Sequence, residues 1–148
     1  MPRHFRLIPL SHDHHEALLI ALRLKKGGPT SEHDRLWPTD LAGQVRSLLL
    51  FYERELLPHF KLEEEILFPE AAALPELEEM VKDLLTQHKQ IRAAIGEITQ
   101  INDEEHLKKE LANFGILLES HVRLEERVLF PKLEESERVG KITLPHLK

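Results

Sequence analysis

Two helix-spaced pairs of histidine and glutamate define the chemistry open to this chain. His59-x-x-x-Glu63 begins the segment His59-Phe60-Lys61-Leu62-Glu63-Glu64-Glu65-Ile66-Leu67-Phe68-Pro69. His121-x-x-x-Glu125 begins a second copy, His121-Val122-Arg123-Leu124-Glu125-Glu126-Arg127-Val128-Leu129-Phe130-Pro131. His, Leu, Glu-Glu and Leu-Phe-Pro fall in the same slots of both, so the segment is an internal repeat. At 3.6 residues per turn a His and a Glu four apart leave one face of a helix, one above the other. Each copy thus offers an imidazole nitrogen and a carboxylate to the same point. Both pairs lie on apolar stripes, where a buried carboxylate carries a heavy penalty unless a cation compensates it.

Four amphipathic segments must position these groups. The pattern predicts a first helix over about 11–26, capped by Ser11 and stopped by Gly27-Gly28-Pro29. It holds His12-Asp13-His14-His15, and Ala17, Leu18, Ala21, Leu22 and Leu24 centre on the direction of His14. His14 is the inward candidate, with His12 or His15 as substitutes or supplements. Residues 27–38 read as a loop anchored by Trp37. A second helix over about 39–70, capped by Thr39 or Asp40, carries Tyr52, Leu56, His59, Glu63, Ile66 and Leu67 on one stripe. Pro58 interrupts that pattern and should remove a backbone hydrogen bond and bend the helix. Pro75 fits the first turn of a third helix over about 75–101, whose single histidine is His88. Asp103 caps a fourth over about 103–138, ended by Gly140. Residues 1–10 read as a lead that lies extended along the surface or packs as an arm, and residues 141–148 as a peripheral arm. The expectation is one all-α domain spanning 1–148, an up-down-up-down four-helix bundle.

One inward His per helix, at His14, His59, His88 and His121, joins the inward Glu63 and Glu125. Mixed imidazole and carboxylate ligation suits iron, manganese or zinc better than calcium or copper(I). Carboxylates can bridge, so two ions about 3.5–4 Å apart are expected midway along the bundle, with open positions for small ligands. Glu64, Glu65 and Glu126 project to other angles and are read as solvated. Tyr52 and Phe114 each precede their helix's His by two turns, which places Tyr52 to donate a hydrogen bond to a bound ligand. The bland alternative is a metal-free structural bundle. A lone His such as His88 is ordinarily a core residue. His4, His33, His106 and His146 fall in tails, loop or cap.

Composition narrows the function classes. The net charge is −6, and no long Lys/Arg run offers a nucleic-acid surface. Cysteine is absent, which removes thiolate ligands, iron–sulfur clusters and thiol nucleophiles. No stretch approaches the roughly 20 apolar residues of a membrane span. No signal-peptide core follows Met1, so the cytoplasm is the default location.

Together, the first-helix His-Asp-His-His, His59-x-x-x-Glu63 before Leu-Phe-Pro, isolated His88, and His121-x-x-x-Glu125 before a second Leu-Phe-Pro resemble the hemerythrin-like (HHE cation-binding) domain family. The resemblance covers about residues 10–136. It implies a four-helix bundle around two non-haem, carboxylate-bridged iron ions, with manganese or zinc as substitutes, that binds oxygen or another small diatomic. By that resemblance the metal ligands are His14, His59, Glu63, His88, His121 and Glu125. Oxygen-carrying members have a second His where this chain has Arg92, and an Asp where it has Glu126. The pattern is thus similar to a four-His, two-Glu branch that includes iron sensors and nitrosative-stress proteins. The resemblance implies binding or sensing of oxygen, nitric oxide or iron status. The alternative is an enzyme turning over peroxide, oxygen or nitric oxide. Ferritin-like oxidases would show Glu-x-x-His pairs, and no Glu lies three residues before any inward His.

Overall fold

The computed structural model describes residues 2–30 and 36–145; His33 and His146 lie outside them. Four helical rods pack side by side, and no strand occurs among the described residues. The first helix is Ile8–Lys26, closed by Gly27 in the left-handed conformation at φ 85°, which glycine adopts without a Cβ clash. It starts a turn earlier than Ser11, with Pro9 in its first turn. Ser11 lies inside the helix and its Oγ donates to Glu126 Oε2 at 2.8 Å rather than capping the end. The lead is correspondingly not peripheral: Leu7 and Leu10 are fully buried. First and fourth helices approach closely at Gly115, where a Cβ would stand 2.7 Å from the carbonyl oxygen of Ala21.

The second rod runs over 41–72, capped by Asp40, whose Oδ2 accepts from the amide of Gly43 at 2.9 Å. Trp37 is buried beside its start, with the Arg23 guanidinium 5.5 Å from its ring. The third rod begins with a 3₁₀ turn, Pro75–Leu77, and continues as Glu78–Ile98. The fourth runs over 104–134, capped by Asp103 accepting from the amide of His106 at 2.8 Å. It stops short of Arg138. A separate 3₁₀ turn, Glu137–Lys141, follows and contains Gly140. Ile142 beyond it is fully buried, so the described part of the tail joins the core.

The prolines inside the rods neither end nor sharply break them. Leu57 N–H bonds to Tyr52 O, Phe68 N–H to Glu63 O, and Phe130 N–H to Glu125 O, each reaching five residues back instead of four. Each of these donors immediately precedes a proline: Pro58, Pro69 and Pro131. A proline ring clashes with the carbonyl four residues before it and donates no hydrogen bond. Widening the preceding turn by one residue accommodates the ring, and such π turns recur at functional sites. Two of the three begin on Glu63 and Glu125.

The core divides into two apolar clusters. One holds Ala17, Leu48, Leu56, Phe60, Ile91, Phe114 and Leu118. The other holds Leu7, Leu10, Leu67, Phe68, Leu84, Leu129, Phe130 and Ile142. The histidines and glutamates occupy the layer between them.

Candidate metal centre

That layer contains six buried polar residues, His14, His59, Glu63, His88, His121 and Glu125, each at most 3% exposed. The structure brings all six together in two overlapping groups. His14, His59, Glu63 and Glu125 form one; Glu63, His88, His121 and Glu125 form the other, with ligand atoms of each group within 4.8 Å of one another. His12 and His15 are solvent-exposed and join neither group.

Each carboxylate gives one oxygen to each histidine pair. Glu63 Oε2 lies 2.8 Å from His59 Nε2, and its Oε1 lies 2.9 Å from His88 Nε2. Glu125 Oε1 lies 2.8 Å from His14 Nε2, and its Oε2 lies 3.2 Å from His121 Nε2. Both carboxylates thus lie between the two histidine pairs. Within each pair the Nε2 atoms are 3.0 Å apart for His14 and His59, and 3.1 Å for His88 and His121. Two nitrogens each about 2.0–2.1 Å from one ion and at a right angle would stand about 3 Å apart.

The outer nitrogen of every imidazole is already engaged. Nδ1 of His14 meets Glu126 Oε2 at 2.6 Å and Nδ1 of His59 meets Asp13 Oδ2 at 2.9 Å. Nδ1 of His88 meets Glu64 Oε2 at 2.6 Å and Nδ1 of His121 meets Gln87 Oε1 at 2.7 Å. Donating Nδ1–H outward turns the Nε2 lone pair inward, the tautomer a metal requires. Meanwhile Glu63 Oε2 and both oxygens of Glu125 are buried without a properly aligned hydrogen bond. Orphaned carboxylate oxygens facing four Nε2 atoms are costly in a metal-free core and satisfied by cations. The donor set therefore fits metal.

Sequence reasoning missed the outer partners. Glu64 and Glu126 were expected to be solvated, yet they hold His88 and His14 on neighbouring helices. The available signal was the doubled Glu-Glu, kept in both copies of the repeat, whereas the next residue is Glu65 in one and Arg127 in the other. The Leu-Phe-Pro slots also serve the site. Phe68 and Phe130 lie 5.4 Å and 5.5 Å, ring centre to ring centre, from His88 and His14.

A small cavity adjoins the centre, lined by Asp13, His14, Glu16, Ala17, Phe51, Glu55, Leu56, His59, Phe60, His121 and Val122. It leaves about 10 Å³ for the centre of a water-sized molecule, room for one. Tyr52 is not among its lining residues. The π turn at Tyr52–Leu56 inserts one residue between Tyr52 and His59, rotating Tyr52 about 100° from the His59 face. Phe51 takes the inward place instead.

Electrostatics set a pH dependence. Burial opposes a charged imidazole at His59, but Glu63 and Asp13 outweigh it and push the pKa up to about 9. At His121 burial is likewise overcome, by Glu125 and Glu63, again to about 9. His14 is raised well above 6.5 by Glu125, Glu126 and Glu63 against the same burial. Burial would raise Glu63, yet His59 and the other surrounding groups hold it well below 4.5. Without a cation, a proton on Nε2 takes its place; nitrogens 3.0 Å apart leave room for one such proton per pair. Metal must displace it. Apparent affinity for a divalent ion should therefore rise about tenfold per pH unit per ion from pH 6.5 towards about 9. Competition titrations against a chelator that give a flat profile would exclude proton displacement.

Comparison with known proteins bears on what this centre is. No curated protein and no solved structure matched the chain. A family model did match, the hemerythrin HHE cation-binding domain, over residues 5–133. That span contains the first three helices, the fourth to within one residue of its end, and every side chain of the buried histidine–glutamate layer, so the chain belongs to the hemerythrin HHE cation-binding family.

Proposed function

We propose that this protein holds two iron ions and uses them to bind or sense a small diatomic, oxygen or nitric oxide. The observation that carries the proposal is the one-molecule cavity whose lining includes His14, His59 and His121 together with the apolar Ala17, Phe51, Leu56 and Val122. Iron in this centre would supply open coordination positions and one-electron chemistry. The protein's own residues do the rest. His14 and His59 would hold one ion, His88 and His121 the other, and Glu63 and Glu125 would span both. Phe51, Leu56 and Val122 narrow the space beside the imidazoles and exclude any organic substrate by size. Manganese or zinc could occupy the same donors.

A turnover reading has one observation in its favour. Glu16 and Glu55, both solvent-exposed, line the same cavity and could relay protons to a reduced ligand. Peroxide, oxygen or nitric oxide would then be consumed rather than retained.

The test is anaerobic loading with ferrous iron, metal analysis, and absorption spectra on exposure to air, nitric oxide and azide. Two ions per chain and ligand-dependent spectra are expected; at most one ion, or unchanging spectra, would refute the reading. Consumption of many equivalents of ligand per centre would establish turnover. Phe51→Ala should enlarge the cavity and speed air oxidation several-fold, whereas Tyr52→Phe should leave it unchanged. The reverse order would show that Tyr52, not Phe51, borders the ligand.

A further inference from the structure

Two of the four imidazoles are braced by an arginine acting through a carboxylate. Glu64 Oε2 accepts from His88 Nδ1 at 2.6 Å and from Arg92 at 2.9 Å. Glu126 Oε2 accepts from His14 Nδ1 at 2.6 Å, while its Oε1 accepts from Arg3 at 3.1 Å. Each histidine pair thus has one Arg–Glu–His relay. The two relays differ in where the arginine comes from. Arg92 stands four residues after His88 on the same helix, so its place is fixed once that helix forms. Arg3 precedes the first helix and reaches Glu126 only when residues 2–7 lie along the fourth helix.

The docking of that segment is extensive. The Arg3 guanidinium also donates to the backbone oxygen of Glu126 at 3.0 Å and to Glu134 Oε1 at 2.9 Å, and sits 5.3 Å from the ring of Phe130. The His4 amide donates to Glu134 Oε2 at 2.6 Å. Arg6 donates to the carbonyl of Ile142 at 2.9 Å, and Leu7 is fully buried. Glu126 itself begins one residue inside the π turn that starts on Glu125. Arg3 therefore grips the wide turn that carries both Glu125 and the partner of His14.

We propose that Arg3 is a positioning residue for the His14 metal position, so that docking of residues 2–7 and occupation of that position are thermodynamically coupled. This rests on the two-ion reading above. Arg3 fixes Glu126, Glu126 fixes the His14 ring with Nε2 inward, and the ion gains affinity from a ligand already aimed. Linkage makes the effect reciprocal: an ion on His14 must favour the docked segment by the same factor. The centre would thereby report its occupancy at the molecular surface. The His88 position, whose arginine stands on the same helix as the ring, would not.

The test measures binding of manganese(II), which avoids oxidation, to the full chain and to R3Q, E126Q, R3Q/E126Q and R92Q, with thermal unfolding to verify folding. Removing a partner outside the ligands typically costs about 10–100-fold in metal affinity. E126Q should fall in that range for one of two ions, and R3Q, one bond further out, should lose about 3–10-fold for the same ion. If the relay is real, adding R3Q to E126Q costs nothing more; if Arg3 merely stabilises the fold, the two losses add. Hydrogen exchange at the His4 and Leu7 amides should slow on metal binding in the wild type and in R92Q. Additive losses, unchanged R3Q affinity, or exchange indifferent to metal would each overturn the coupling while leaving the two-ion reading intact. A wild-type chain that binds fewer than two ions overturns both.

Discussion

If the centre holds two ions as proposed, replacing Glu63 with Gln is expected to release both, and replacing Glu125 should do the same. Each of these carboxylates turns one oxygen toward the His14–His59 pair and one toward the His88–His121 pair, so neither loss can be confined to one ion. An amide keeps the shape but not the charge. Removing one partner from a buried charge pair costs about 3–5 kcal/mol, about 150- to 5,000-fold in affinity for each ion. Glu64→Gln and Glu126→Gln should cost less, about 10–100-fold, because they act through His88 and His14. Glu65 is exposed, and Glu65→Gln should be silent. Metal content after passage over a desalting column, with affinity from competition titration, reads this order directly. Equal losses at 63, 64 and 65 would dismantle the assignment of Glu63 as a bridge.

The second large effect is on stability. Chelation should lower the unfolding temperature by about 10 °C or more. A ligand held by the native state alone at about 1,000 times its dissociation constant contributes about 4 kcal/mol, and in a domain of this size each kcal/mol moves the midpoint about 2–4 °C. The physical source is the layer between the two apolar clusters, where the three orphaned oxygens of Glu63 and Glu125 need a cation or a proton. The sign with pH follows. Because His59 and His121 are pushed up to about 9, their protons stabilise the metal-free fold fully below 6.5, and that contribution is lost as the pH rises through about 9. A metal-loaded centre has already shed those protons. The gap between loaded and metal-free midpoints should therefore widen from pH 6.5 to 9. Calorimetry that finds one midpoint with and without metal would favour a purely structural bundle.

Much of this was legible without coordinates, for a local reason. Helical spacing is a property of the chain itself, so His59 with Glu63 and His121 with Glu125 must share a face wherever the helices end up. The apolar stripes fix which face turns inward, and that was enough to select His14 over the exposed His12 and His15 and to single out His88 on the third helix. Asp40 and Asp103 were legible as caps because a cap's bond closes within three residues.

What tertiary structure decided is everything that depends on where one helix stands against another, or on how a helix absorbs a proline. Glu126 reaches His14 and Glu64 reaches His88 across helix interfaces, and no spacing along the chain encodes which carboxylate meets which ring. Arg3 is far from Glu126 in sequence and meets it only because Leu7 and Leu10 bury the segment that carries it. The cavity wall changed for a different reason. Pro58 was visible, but whether a helix answers a proline by ending, kinking or widening depends on what its faces gain by packing. Here it widens, Leu56 enters the core, and Phe51 rather than Tyr52 turns toward His59. The inward histidines and glutamates are set by a helical period legible in the sequence; their supports and the space beside them are set by contacts that exist only once the four helices are assembled.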